Sequence, residues 1–145
     1  MKQPRILLVE DDHSFGYILS EYLGMQDFVV DWVKSAEEAE EKLHTHAYDL
    51  AILDVMLPGS NGFELGASLR QRFAELPFLY LSAKSLKIDQ LKGFRVGAVD
   101  YLTKPIDEEL LVAKIRALLR QQVRQQPVDA YAIGSYEFRP RQFLL

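Results

Sequence analysis

Apolar and polar positions along the chain fall into two alternating kinds of segment. Arg5-Ile6-Leu7-Leu8-Val9, Leu50-Ala51-Ile52-Leu53 and Pro77-Phe78-Leu79-Tyr80-Leu81-Ser82 are short, nearly uninterrupted apolar runs. Such runs read as strands buried on both faces, the kind found in parallel sheets covered by helices. Phe28 to Val33 and Val99 to Thr103, rich in β-branched and aromatic residues, read as two more strands. Between them the period changes to that of a helix. Phe15, Ile18, Leu19, Tyr22 and Leu23 recur on one helical face, with Gly24 placed as a C-cap. Ser35-Ala36-Glu37-Glu38 is a capping box that opens a helix through Ala39 and Leu43 to about Thr45. Asn61 caps a helix from Phe63 to about Phe73. A further helix spans roughly Leu86 to Val96, weakened by Gly93, and Asp107 caps a last one in which Leu111, Ile115, Leu118 and Leu119 share a face. Five strands alternating with five helices predict an α/β fold, a mostly parallel sheet with right-handed crossovers.

From about Gln121 the pattern lapses. Gln-Gln-Val-Arg-Gln-Gln-Pro is polar and ends in a residue that cannot continue a helix, so it reads as a linker, and Ala130 to Leu145, split by Gly134 and Pro140, reads as one hairpin. The 145 residues leave room for one ordinary domain and a short extra piece. With no cysteine there is no disulfide, thiolate metal site or Cys nucleophile. A net charge of −4 gives the bulk of the chain no reason to bind nucleic acid. No apolar run approaches the roughly 18 residues of a membrane span, so the expectation is a soluble, cytoplasmic protein with no membrane partner.

Chemistry enters at the strand ends. In open α/β sheets ligands bind beyond the carboxyl ends of the strands. Three of these runs end in Glu10-Asp11-Asp12, in Asp54 and in Lys104, and a fourth ends in Ser82. Alone, Asp54 is also what a turn-capping aspartate looks like, Lys104 what a surface charge looks like, and Ser82 what a turn former looks like. Together, on one edge, they make a centre. Crowded carboxylates repel one another, and a hard divalent cation with oxygen ligands relieves this; few protein carboxylates plus waters favour Mg2+ over calcium. A magnesium site with a spare carboxylate, a lysine and a hydroxyl suits phosphoryl transfer, which needs positioning and charge neutralisation on three oxygens. Asp54 is then the nucleophile.

Leu-Leu-Val-Glu10-Asp11-Asp12, Leu-Asp54-Val-Met-Leu-Pro-Gly-Ser-Asn-Gly, Leu-Ser82-Ala83-Lys84 and Gly-Ala-Val-Asp-Tyr101-Leu-Thr-Lys104-Pro105 resemble, in order and spacing, the receiver domain of two-component response regulators, over residues 4 to 122. The resemblance implies a flavodoxin-like (CheY-like), doubly wound, five-stranded parallel sheet of order 2-1-3-4-5 with five helices. It implies that Asp54 accepts a phosphoryl group from a histidine kinase, aided by Lys104 and Ser82. Asp11, Asp54, the backbone carbonyl of Met56 and, through water, Glu10 would hold magnesium. The Lys104-Pro105 bond is often cis in this family. Ser82 and Tyr101 would be the switch, altering the face made by the fourth helix, fifth strand and fifth helix. Shifting a population from about 1:99 to 99:1 takes about 5.5 kcal/mol, within reach of two or three charge-assisted hydrogen bonds at about 1.5 to 3 kcal/mol each. Beyond its own phosphoryl acceptance and slow dephosphorylation, no enzymatic turnover is expected.

The tail Ile133-Gly-Ser-Tyr-Glu-Phe138-Arg-Pro140-Arg resembles the first strands of the effector domain of OmpR/PhoB-type regulators. The resemblance divides the chain into a receiver (1–122), a linker (123–129) and the start of a truncated winged-helix domain (130–145), so that DNA would be met only through the missing part. Relatives of this type dimerise through the face named above. Leu91, Asp100, Leu110 and Lys114 would lie on it here, and Val99 and Leu110 stand where relatives often carry acids, which implies a more apolar homodimer contact. Two competing readings stay open: a magnesium phosphohydrolase of haloacid dehalogenase type, against which Met56 stands where a second aspartate would act, and a docking module that is never phosphorylated. His44 and His46, two apart on a helix, do not face each other, and no Gly-rich nucleotide loop is present.

Overall fold

The computed structural model describes residues 3–124. Five strands, β1 (Arg5–Val9), β2 (Val29–Val33), β3 (Leu50–Leu53), β4 (Phe78–Ser82) and β5 (Asp100–Thr103), form one parallel sheet in the order β2-β1-β3-β4-β5. Register is set by pairs such as Val9 with Val33 and Leu53, Leu53 with Tyr80, and Ser82 with Thr103. The helices are α1 (His13–Met25), α2 (Ala36–Thr45), α3 (Gly62–Arg72), α4 (Lys87–Val96) and α5 (Glu108–Arg124). The order and the helix count agree with the expected fold. The chain forms two compact units, 1–112 and 113–145; the described part of the second is the continuation of α5.

Strand alternation sorts the core onto two faces. On one, Leu7, Val9, Leu53 and Tyr80 pack with Ala39 and Leu43 of α2 and with Phe63, Leu65 and Leu69 of α3. Ile6, Leu8, Ile52, Leu79 and Leu81, all at most 1% exposed, take the alternate positions. Burial on both faces explains why β1, β3 and β4 carry no polar alternation. Tyr80 and Gly66 are matched: the Tyr80 hydroxyl donates to the Gly62 carbonyl at 2.8 Å, and a Cβ on Gly66 would collide with that hydroxyl.

Caps set where the helices start. Ser35, Asn61 and Asp107 accept from the backbone N–H groups of Glu38, Glu64 and Leu110, as their positions in the sequence imply. The capping box is shifted by one residue, because the Glu38 carboxylate accepts from Lys34 N–H.

Elsewhere local signals were overridden. α1 starts at His13, since Asp12 caps it by accepting from Phe15 N–H at 3.0 Å. It also runs past Gly24: Asp27 takes the left-handed conformation (φ 72°), while Asp27 and Phe28 donate back to Gly24 and Leu23, an aspartate filling the role usual for glycine. Its buried stripe is Gly16, Leu19 and Leu23, and Ile18 is 58% exposed. Pro58-Gly59 forms the turn of a short antiparallel hairpin, Met56–Leu57 with Ser60–Asn61, which the strand pattern does not show, and Gly59 supplies the positive φ it needs. α5 continues to Arg124, into the polar segment, because Gln and Arg are good helix formers and the first breaker is Pro127. The expected hairpin at 130–145 lies outside the described residues. No helix among the described residues is long and apolar enough to cross a membrane.

Candidate phosphoacceptor site

The parallel ladder delivers the polar residues to one edge. Glu10 N–H donates to Val33 and Asp54 N–H to Val9, so both acids follow directly on paired strand residues, and Lys104 N–H donates to Ser82 at 2.9 Å. Glu10 and Asp54 are 2% and 6% exposed, and between them lies the Lys104 ammonium, 2.8 Å from Glu10 Oε1 and 3.1 Å from Asp54 Oδ2. Three residues, separated by up to 94 positions in sequence, share one buried charge centre. The second oxygens are also engaged: Asp12 N–H donates to Glu10 Oε2, and Met56 N–H to Asp54 Oδ1.

Burial pushes the Glu10 carboxyl above the usual carboxylate range, outweighing the hydrogen bonds from Lys104 and Asp12. For Lys104 burial acts downward, but the bonds to Glu10 and Asp54 overcome it and hold the ammonium above its ordinary value. Lys104 is therefore firmly charged at neutral pH. The Lys104-Pro105 bond is cis.

The other site residues stand around this centre. Ser82, fully buried at the end of β4, accepts from Lys84 N–H at 3.2 Å. Tyr101 is buried, its hydroxyl donating to the Lys84 carbonyl at 2.7 Å and its ring packed against Tyr80. A Cβ on Gly93 would lie 2.7 Å from the Tyr101 ring, so the glycine that weakens α4 is what admits this aromatic. Asp11 is exposed and lines a hollow with Met56, Asn61, Lys84 and Asp89. Among the described residues, no three His, Cys, Asp or Glu side chains form a ready metal cluster. Lys104 stands between two of the expected ligands instead. The donor set is nonetheless made of hard oxygens, and Glu10 and Asp54 each use only two of about four acceptor positions. On the remaining face Leu91 and Leu110 are exposed, as are Leu86, Ile88, Phe94 and Val99; Asp100 is half-buried, and Lys114 belongs to the second unit.

Two aromatics that the sequence pattern marks only as helix-face or strand residues stand at the site. The Trp32 indole N–H donates to the Glu10 carbonyl at 2.9 Å, its ring lying where a side chain on Gly16 would be. The Phe15 ring sits under the Lys104 ammonium, 4.3 Å from centroid to Nζ. Gly16 facing a lone tryptophan, and an aromatic one turn after the acids, were the available signals.

A doubly wound parallel sheet that holds two buried acids and a lysine at its carboxyl edge defines a class of α/β proteins with an acid–lysine centre. The chain belongs to the family described as response regulator receiver domain, which matches residues 6–116. It is 38% identical over 143 residues to the transcriptional regulatory protein RprY of Bacteroides fragilis, covering 97% of this chain and 61% of that protein. The transcriptional regulatory protein TctD of Salmonella typhimurium is 43% identical over 121 residues, covering 83% of this chain and 54% of TctD. Among solved structures, the BeF3-activated N-terminal receiver domain of RstA from Klebsiella pneumoniae is similar with a TM-score of 0.77 at 33% identity, over 81% of this chain and 99% of that one. The chain thus spans 54% to 61% of the length of these two curated relatives. The family does not favour the phosphohydrolase reading.

Proposed function

We propose that this chain is the phosphoacceptor module of a two-component transcriptional regulator of OmpR/PhoB type, working in the cytoplasm with a histidine kinase as donor. The observation that carries the reading is the Lys104 ammonium bridging Glu10 and Asp54. An Asp54 carboxylate oxygen attacks the donor phosphorus; a P–O bond to Asp54 forms, the P–N bond of the phosphohistidine breaks, and the departing imidazole takes up a proton from solvent. Lys104, already above its ordinary pKa, shifts from Asp54 Oδ2 to a phosphoryl oxygen. The Ser82 hydroxyl takes another. Asp11, Asp54, the Met56 carbonyl and, through water, Glu10 are the residues that would hold magnesium, whose charge neutralises the acids and the transferring group. The new charge of roughly −1.5 to −2 then draws Ser82 and Tyr101 to a changed position. The exposed Leu91 and Leu110, with Asp100 and Lys114, would carry a homodimer. Residues 1–122 are the receiver, 123–129 a linker, and 130–145 the start of a winged helix that meets DNA in the full-length parent.

The test is incubation with acetyl phosphate and Mg2+, followed by intact mass. Wild type should gain one phosphoryl group and Asp54→Ala none. No gain on wild type, or equal gain on the variant, refutes the assignment. Sustained release of phosphate from small esters would favour the hydrolase instead.

A further inference from the structure

We propose that Phe15 is a positioning residue for Lys104, its ring face serving as the third, neutral partner of the ammonium that acts in phosphoryl transfer. The inference rests on the function proposed above and extends it to a residue outside the acid–lysine–hydroxyl set. An ammonium has three N–H donors. Two of those on Lys104 meet Glu10 Oε1 at 2.8 Å and Asp54 Oδ2 at 3.1 Å, and the Nζ lies 4.3 Å from the centroid of the Phe15 ring. That is well within the roughly 6 Å over which a ring face attracts a cation. The backbone under the ring is anchored by the Phe15 N–H, which donates to the capping Asp12 carboxylate at 3.0 Å, and the side chain lines a mostly apolar cleft with Ile18, Leu19, Pro105, Ile106, Lys104 and Glu108. The Lys104 side chain is only 19% exposed, so the contact is largely shielded from water.

The partner's chemistry matters because Lys104 has to let go. To reach a phosphoryl oxygen the ammonium must leave Asp54 Oδ2. A carboxylate in place of Phe15 would capture it, and open water would solvate it and free the side chain. A ring face attracts the cation without offering a full anion, so it holds Nζ near the transferring group at the point where one carboxylate bond has been lost. The stabilisation therefore weighs more in the transition state than in the resting protein, which is the condition for a rate effect.

The test compares Phe15→Leu and Phe15→Met, which lose the ring, with Phe15→Tyr, which keeps it, in the whole chain. The rate of Asp54 phosphorylation by acetyl phosphate with Mg2+ should fall about fivefold for Leu and Met, within the roughly 2- to 30-fold range of such contacts, and stay within about twofold of wild type for Tyr. A second readout is spectroscopic: the Lys104 ε-methylene protons, shifted upfield by the ring in wild type and in Phe15→Tyr, should return downfield in the Leu and Met variants. Equal rates in all four proteins, or a Tyr variant as slow as Leu, overturn the inference while leaving Asp54 as phosphoacceptor. A wild type that takes up no phosphoryl group overturns the proposed function itself.

Discussion

Replacing Lys104 with methionine removes the charge between Glu10 and Asp54 while keeping most of the side-chain volume. The Glu10 and Asp54 side chains are 3% and 7% exposed and would face each other with no cation between them. Removing one partner of a buried ion pair costs about 3 to 5 kcal/mol; Lys104 is 19% exposed, which places its loss at the lower end, about 3 kcal/mol. For a chain of this size that lowers the melting temperature by about 10 °C. The destabilisation comes from two uncompensated acids, so removing one of them as well should recover part of it. The double variant Lys104→Met, Glu10→Gln should be more stable than Lys104→Met alone, with a coupling of about 1 to 3 kcal/mol between the sites. Millimolar Mg2+ should raise the melting temperature of Lys104→Met more than that of wild type, because only the variant lacks a resident cation. Urea and thermal melts of wild type, Lys104→Met, Glu10→Gln and the double variant, with and without Mg2+, give all these values. Strict additivity of the two substitutions, or a Lys104→Met chain that melts with wild type, would refute the charge-centre reasoning.

Gly66→Ala should destabilise by about 1 to 3 kcal/mol despite the better helix propensity of alanine, since its Cβ would collide with the Tyr80 hydroxyl and lie 3.0 Å from Phe78. In a Tyr80→Phe background the cost should fall by at least about 1 kcal/mol; urea midpoints showing the same cost in both backgrounds would contradict this. Asp31 is a case of pH linkage. Burial pushes its carboxyl up, but hydrogen bonds from Tyr48 and Arg5 outweigh this and hold it below the usual range. A depressed folded-state pKa stabilises above the unfolded value of 3.8, and that contribution disappears as pH falls through the lower folded value. Asp31→Asn should therefore lower stability at neutral pH and flatten its decline below about pH 4, as urea titrations across that range would show.

What was legible in the sequence was whatever rests on local physics. β1, β3 and β4 announced themselves because burial on both faces leaves no polar position, and Ser35, Asn61 and Asp107 because a cap is a side chain reaching three residues along its own chain. Less legible were features in which distant segments decide. Gly24 looked like a helix stop, yet Asp27 takes the left-handed position because Leu23 and Phe28 are both buried there and fix the exit of the chain. Ile18 fits the apolar stripe of α1, but Gly16 holds the inward position because Trp32 fills the space beside it. At the site, Glu10, Asp54 and Lys104 could be placed on one edge from strand ends alone. Their shared ammonium could not, since it depends on side-chain reach, and neither could Phe15 under Lys104, an apolar residue whose partner stands 89 positions away in the numbering.

The sheet order has one more consequence. Lys104 follows β5 and Asp54 follows β3, and β4 lies between them. The two backbones stand about two strand spacings of about 4.8 Å apart, a gap that the lysine and aspartate side chains close together beyond the end of β4, where Ser82 stands. A shorter cationic side chain would fall short of the acids, and a bulky residue at 82 would block the crossing. Position 104 thus selects length as much as charge, and position 82 must remain small for that length to be of use.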